Sequence, residues 1–160
     1  MPDDRIELLR QMPVFGGLKT ESLELILRES TEVVAKEGDF FFREGERGDS
    51  VFVLETGTVL VQRMWNGEPI ELGRLASGDC FGEMALIDFE KRSASIKAES
   101  NCSAIEVPSK SLRSLFKVDV EQYAMIMMNL GREVSRRLRV ADECLFQLQQ
   151  TPAAEKKLTQ

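Results

Sequence analysis

The chain reads as a mainly β domain, a sandwich or jelly roll with helices at both ends, on three observations. Short β-rich runs fill the stretch from Thr31 to about Pro108, and glycines punctuate them. Asn66-Gly67 joins two of the runs as a tight hairpin. The apolar period then lengthens from two to between three and four residues on either side of this stretch, as helices require.

Residues 1–30 read as helices. Ile6, Leu8, Leu9 and Met12 precede Pro13, Gly16-Gly17 breaks the run, and Thr20-Glu21-Ser22-Leu23-Glu24 has the form of a capped helix start. Residues 31–108 form the barrel. Its strands are Val33–Ala35, Phe40–Phe42, Val51–Leu54, the hairpin Thr58–Trp65 with Glu68–Leu75, then Ser93–Ala98 and Cys102–Val107. Trp65, beside the turn, is expected to pack half-buried in the hairpin. Residues 109–150 give a short helix, Ser109–Phe116, and a long one from Val120 to about Gln149; residues 151–160 form a polar, flexible tail.

Composition narrows the function. A net charge of −6 is the wrong balance for a general nucleic-acid binder. The basic cluster Arg132, Arg136, Arg137 and Arg139 reads mostly as a solvated helix face. Cys80, Cys102 and Cys144 are widely spaced and include no C-x-x-C pair, which predicts reduced thiols in a cytoplasmic protein and no zinc site. Asp3, Asp4 and Arg5 stand where the apolar core of a signal peptide would begin, and no apolar run is long enough to span a membrane. The sequence holds no histidine, so neither a Ser-His nor a Cys-His nucleophile can be assembled, nor a histidine-ligated metal site of the cupin kind; no enzymatic activity is expected.

The residues that carry chemistry lie at 81–95. Gly82 lets the backbone approach a ligand, and a helix starting there would aim free N–H groups at an anion. Arg92 supplies a planar fork for two phosphate oxygens, and Ser93 adds a hydroxyl. Glu83 would repel a phosphate, so its carboxylate suits sugar hydroxyls. The bland alternative is that Glu83 and Arg92 form an ion pair across a surface loop, worth about 0–1 kcal/mol.

This segment, Gly82-Glu83-Met84-Ala85-Leu86 through Arg92-Ser93-Ala94-Ser95, closely resembles the phosphate-binding cassette of cyclic-nucleotide-binding domains. Such domains occur in catabolite activator proteins, cyclic-nucleotide-regulated kinases and gated channels. The resemblance extends through Val14-Phe15, Gly38-Asp39, Glu44-Gly45, Gly48-Asp49, Phe52-Val53-Leu54, Gly57 and Gly78-Asp79-Cys80-Phe81. It implies a double-stranded β-helix, or jelly-roll, barrel with a long C-terminal helix. It also implies a sensor of cyclic AMP or cyclic GMP that takes no other cofactor.

The resemblance assigns roles. Arg92 takes the cyclic phosphate with Ser93, Ala94 and the backbone of Met84 and Ala85. Glu83 takes the ribose 2′-hydroxyl, and Phe81, Gly82, Val61, Leu72 and Gly73 complete the wall. Arg137 falls where the family pairs an arginine with the ribose-binding glutamate. Leu138, Ala141 and Asp142 fall where the family meets the base, and cyclic AMP is favoured over cyclic GMP. Phe89-Glu90-Lys91 departs from the family, where a glycine and then a proline commonly precede the arginine. Phe89 adopts positive φ less easily than glycine, and Glu90 puts a negative charge near the anion site.

Ala124, Met127, Gly131, Val134, Leu138, Ala141, Leu145 and Leu148 form a heptad seam, read as the contact of a parallel homodimer; the alternative is that this stripe packs on its own barrel. The short tail leaves no room for the DNA-reading domain of catabolite activators, so no direct DNA binding is expected and the downstream partner is unspecified. The competing function is a dimeric interaction module that keeps the fold but has lost the ligand.

Overall fold

The computed structural model describes residues 2–150, apart from the side chains of Pro2, Asp3 and Ala85; the expected flexible tail lies outside them. Helix α1 (Pro2–Gln11) leads through a 3-10 turn at Pro13–Phe15 into α2 (Thr20–Arg28). Eight strands follow: β1 (Thr31–Ala35), β2 (Phe40–Phe42), β3 (Ser50–Thr56), β4 (Thr58–Trp65), β5 (Glu68–Ala76), β6 (Cys80–Phe81), β7 (Ser95–Ala98) and β8 (Cys102–Pro108). The short helix α3 (Met84–Asp88) lies between β6 and β7, and α4 (Ser109–Val118) and α5 (Val120–Gln150) close the chain.

The strands form two four-stranded antiparallel sheets, ordered β1-β8-β3-β6 and β2-β7-β4-β5, the jelly-roll sandwich the sequence predicts. Alternation on β3 and β8 splits the core into two layers. Val51, Val53, Ile105 and Val107 face the helices, while Phe52, Leu54, Cys102 and Ala104 face the other sheet. The Asn66-Gly67 turn has positive φ at both residues, 51° and 83°, as a type I′ hairpin needs.

Several local expectations are corrected. The helix α2 starts at Thr20 with Lys19 before it and no side-chain cap; the Thr20 hydroxyl instead accepts from Arg10 Nη2 at 2.9 Å. The strand after the cassette begins at Ser95 rather than Ser93, because residues 89–94 are drawn into the cassette. Strand β6 is absent from the strands read from sequence, being too short to show a period, and Trp65, expected half-buried, is exposed.

The seam on α5 divides. Val134 is half-buried and Met127 packs on the helical core, while Ala124, Gly131, Leu138, Ala141, Leu145 and Leu148 are exposed. The residues that seat α5 are Gln122, Ile126, Asn129 and Leu130, with Asn129 Nδ2 donating to the Val14 and Gly16 carbonyls. Among the described residues, no helix is long and apolar enough to cross a membrane.

Candidate functional site

A cavity of about 410 Å³ opens between the β4–β5 wall, the α3 segment and α5. That is within the roughly 300–1,000 Å³ of small-molecule sites. Its wall is shaped by an irregularity in pairing. Val61 pairs with Gly73 and Gln62 with Glu71, which leaves Leu72 as the extra residue of a β-bulge. A bulge re-aims side chains, and here it places Leu72 and Gly73 together on the cavity beside Val61.

The opposite side is built by the turn after β6. Gly82 has φ +81°, and a Cβ there would stand 2.6 Å from Arg92 Nη1 and 3.1 Å from the Ser50 carbonyl, so the position excludes larger residues. Helix α3 then runs for five residues and ends at Phe89, with φ 57° and ψ 18°. The family's glycine position therefore does require the left-handed region, and phenylalanine occupies it under strain. Beyond it the backbone of Arg92 is clasped by the loop before β3. Its N–H donates to the Glu46 carbonyl at 2.9 Å, and its carbonyl accepts from the Gly45 N–H at 2.8 Å.

Arg92 is the electrostatic centre. It is 6% exposed, and its guanidinium carbon lies 4.1 Å from the centre of the Phe42 ring. Nη1 donates to the Ser50 and Gly82 carbonyls, each at 3.0 Å, while Nε is buried with no partner. Among the described residues no carboxylate forms an ion pair with it, so the alternative of a Glu83–Arg92 surface pair is ruled out. Burial pulls its pKa below the usual arginine range, and the charges of Glu106, Asp49, Glu46 and Glu83 oppose that pull. A buried cation with an idle donor is stabilised by an anion brought to it.

Glu83, 2% exposed, is covered by α5: Arg137 Nη1 donates to its Oε1, and Arg137 Nε donates to Glu133 Oε1 at 3.2 Å. This joins the start of α3 to the long helix. Met84, Ser93 and Ala94 line the cavity with Phe81, Gly82, Glu83, Arg92 and Arg137. The side chain of Ala85 lies outside the described residues. Leu138, Ala141 and Asp142, expected at the ligand, do not line the cavity; they sit exposed further along α5.

Sequence reasoning missed Phe42, Arg63, Arg74, Leu75 and Ile96 as lining residues and named Lys91 only as part of the departure from the family. The period of β4 could have supplied Arg63, which shares a face with Val61. Arg63 pairs with Glu44 and Arg74 with Glu99, while Lys91 has no acidic partner among the described residues. A protein of net charge −6 thus gathers Arg63, Arg74, Lys91, Arg92 and Arg137 around one cavity, with Glu83 the acid among its lining. Among the described residues, no group of three His, Cys, Asp or Glu side chains could hold a metal ion.

Comparison with known proteins gives one family. The model of the cyclic nucleotide-binding domain matches residues 32–119. The chain is 30% identical over 139 residues to a cyclic AMP receptor protein of Thermus thermophilus, covering 84% of this chain and 61% of that one. It is 36% identical over 95 residues to the human cGMP-dependent protein kinase 2, covering 58% of this chain and 12% of that protein. A solved cyclic nucleotide-binding domain from Methylobacillus flagellatus superposes with a TM-score of 0.78 at 20% identity, covering 91% of this chain and 82% of that one, a likeness of fold alone. The chain thus spans less than two thirds of either relative's length.

Proposed function

The chain belongs to the cyclic nucleotide-binding domain family, and on that premise we propose that it is a regulatory sensor that prefers cyclic AMP over cyclic GMP. The observation that carries this reading is Arg92, a buried cation with no acidic partner among the described residues and an unused Nε, in a cavity of suitable size. Arg92 takes the cyclic phosphate, assisted by Ser93 and the first-turn amides of α3. Glu83 takes the ribose hydroxyl, and Val61, Leu72 and Gly73 pack against the ligand.

The cyclic AMP preference is supported by the longer match to the cyclic AMP receptor, 84% of this chain against 58% for the cGMP-dependent kinase. Asp142 offers an acceptor to the adenine 6-amino group, and equally to the N1–H and 2-amino group of guanine. It belongs to the half of α5 beyond Val134, where every residue is exposed and Leu138, Leu145 and Leu148 lack cover. A second copy pairing through this half of α5 covers them and brings the Leu138–Asp142 segment to the neighbouring cavity. The Glu83–Arg137 contact passes ligand binding to α5, and the signal leaves through that helix. The thiols Cys80, Cys102 and Cys144 are free, in keeping with a reducing cytoplasm.

Calorimetric titration of the protein with cyclic AMP and with cyclic GMP, beside Arg92→Ala, tests the reading. Losing a buried Arg–phosphate pair removes about 3–5 kcal/mol, or two to three decades and more in affinity. Saturable binding abolished by Arg92→Ala is the expected result. The strained Phe89 and the charge of Glu90 favour the second reading, a dimeric interaction module without ligand. A folded wild type that binds neither nucleotide would establish it.

A further inference from the structure

Two polar side chains stand where the sheet pattern calls for apolar ones. On the face of β8 that meets the other sheet, Cys102 and Ala104 are followed by Glu106; on the matching face of β3, Leu54 and Phe52 are preceded by Ser50. Phe52 pairs with Glu106 across the strands, which sets Ser50 diagonal to it. The Ser50 hydroxyl donates to Glu106 Oε1 at 2.7 Å, and Ser50 is 4% exposed.

The hydroxyl oxygen of Ser50 also accepts from Arg92 Nη2, at 3.5 Å, while the carbonyl of the same residue accepts from Nη1 at 3.0 Å. One residue therefore meets both terminal nitrogens of the guanidinium. Gly82 takes the second hydrogen of Nη1. What remains is the side edge, Nε with Nη2, and Nε is the buried atom without a partner. A guanidinium presents two parallel N–H bonds along that edge, a match for two phosphate oxygens.

We propose that Ser50 and Glu106 are positioning residues for Arg92, and that they turn its Nε–Nη2 edge toward the phosphate. Glu106 orients the Ser50 hydroxyl so that its lone pairs face Nη2, and the serine grips the terminal end of the fork from behind. Glu106 also stands first among the charges that oppose the downward pull of burial on Arg92. The proposal rests on the cyclic-nucleotide reading for what Arg92 binds. The grip itself belongs to the ligand-free protein and can be read there.

The test is nitrogen-15 NMR of the arginine side chains, without ligand, followed by calorimetric titration with cyclic AMP. The wild type should show separate, slowly exchanging Nη1 and Nη2 resonances for Arg92. Ser50→Ala and Glu106→Leu should speed exchange of the Nη2 protons and of the two nitrogens, since only the carbonyl contacts on Nη1 remain, and weaken cyclic AMP binding by about two- to tenfold, the weight of one hydrogen bond. Glu106→Gln still accepts from Ser50 and should restore most of both. In an Arg92→Lys background Ser50→Ala should cause no further loss, because an ammonium has no second nitrogen to grip.

Arg92 exchange rates unchanged in Ser50→Ala would overturn the proposal, as would an equal Ser50→Ala loss in the Arg92→Lys background. A wild type whose Arg92 is held through Ser50 yet binds neither nucleotide sinks the functional reading and supports the grip.

Discussion

Replacing Phe89 by glycine and, separately, by alanine isolates the strain at the end of α3. Phe89 holds φ 57° and is 83% exposed, so both replacements forfeit the same small amount of burial. A side-chain-bearing residue in the left-handed region is destabilised by about 1–2 kcal/mol. Glycine carries a backbone-entropy penalty of about 0.5–1 kcal/mol relative to alanine. Strain is the larger effect, so the glycine variant should exceed the alanine variant in unfolding free energy by about 0.5–1 kcal/mol. Urea unfolding followed by circular dichroism, with an unchanged m value, measures that difference. In thermal melts it corresponds to about 1–4 °C for a chain of this size. The sign is decisive, because at an ordinary backbone position alanine is the more stable of the two. An alanine variant equal to or better than glycine would refute the left-handed strain at Phe89.

Arg137→Ala should separate signalling from binding. With a spin label on Cys144, the exposed thiol, addition of cyclic AMP should change label mobility in the wild type and not in the variant. The variant should lose less than about tenfold in affinity, since the phosphate contacts stay; equal losses of binding and response would end the coupling idea. At the start of α5, Asp119 accepts from the Gln122 N–H at 3.2 Å and pairs with Lys19 Nζ at 3.2 Å; these contacts hold its carboxyl below the usual aspartate range. Its contribution to stability is present above the unfolded-state pKa and is lost as pH falls through the lower folded value. Asp119→Asn should therefore flatten that part of the acid limb in unfolding measurements between neutral pH and pH ~2, and an unchanged acid limb would exclude Asp119 from it.

Much of the fold was legible because the rules that write it are short-range. Asn66-Gly67 announces its own turn, and the short run of β-branched, aromatic and aliphatic residues from Val51 to Leu54 announces a strand, whatever the rest of the chain does. The cassette residues were legible as chemistry, an arginine fork beside a hydroxyl and a turn glycine. The surroundings of Arg92 were not. Phe42 stacks on it from 50 residues upstream, and Ser50 and Gly82 hold it through main-chain carbonyls that no residue type advertises. The α5 seam was legible only in part, for a related reason. A period of three and four marks an apolar stripe without saying which of its residues the rest of the same chain will cover.

From the sequence alone came the strand order along the chain, the hairpin and the identity of the groups able to meet a phosphate and a sugar. Each follows from neighbours a few residues apart. Only the tertiary structure decided which of those groups converge and in what state. The bulge that turns Leu72 inward depends on pairing between β4 and β5. The Glu83–Arg137 contact spans 54 residues, and the Ser50 grip on Arg92 spans 42. Burial of Arg92 with one edge unused arises when the two sheets close over it, because charge becomes costly, and selective, only where water has been removed.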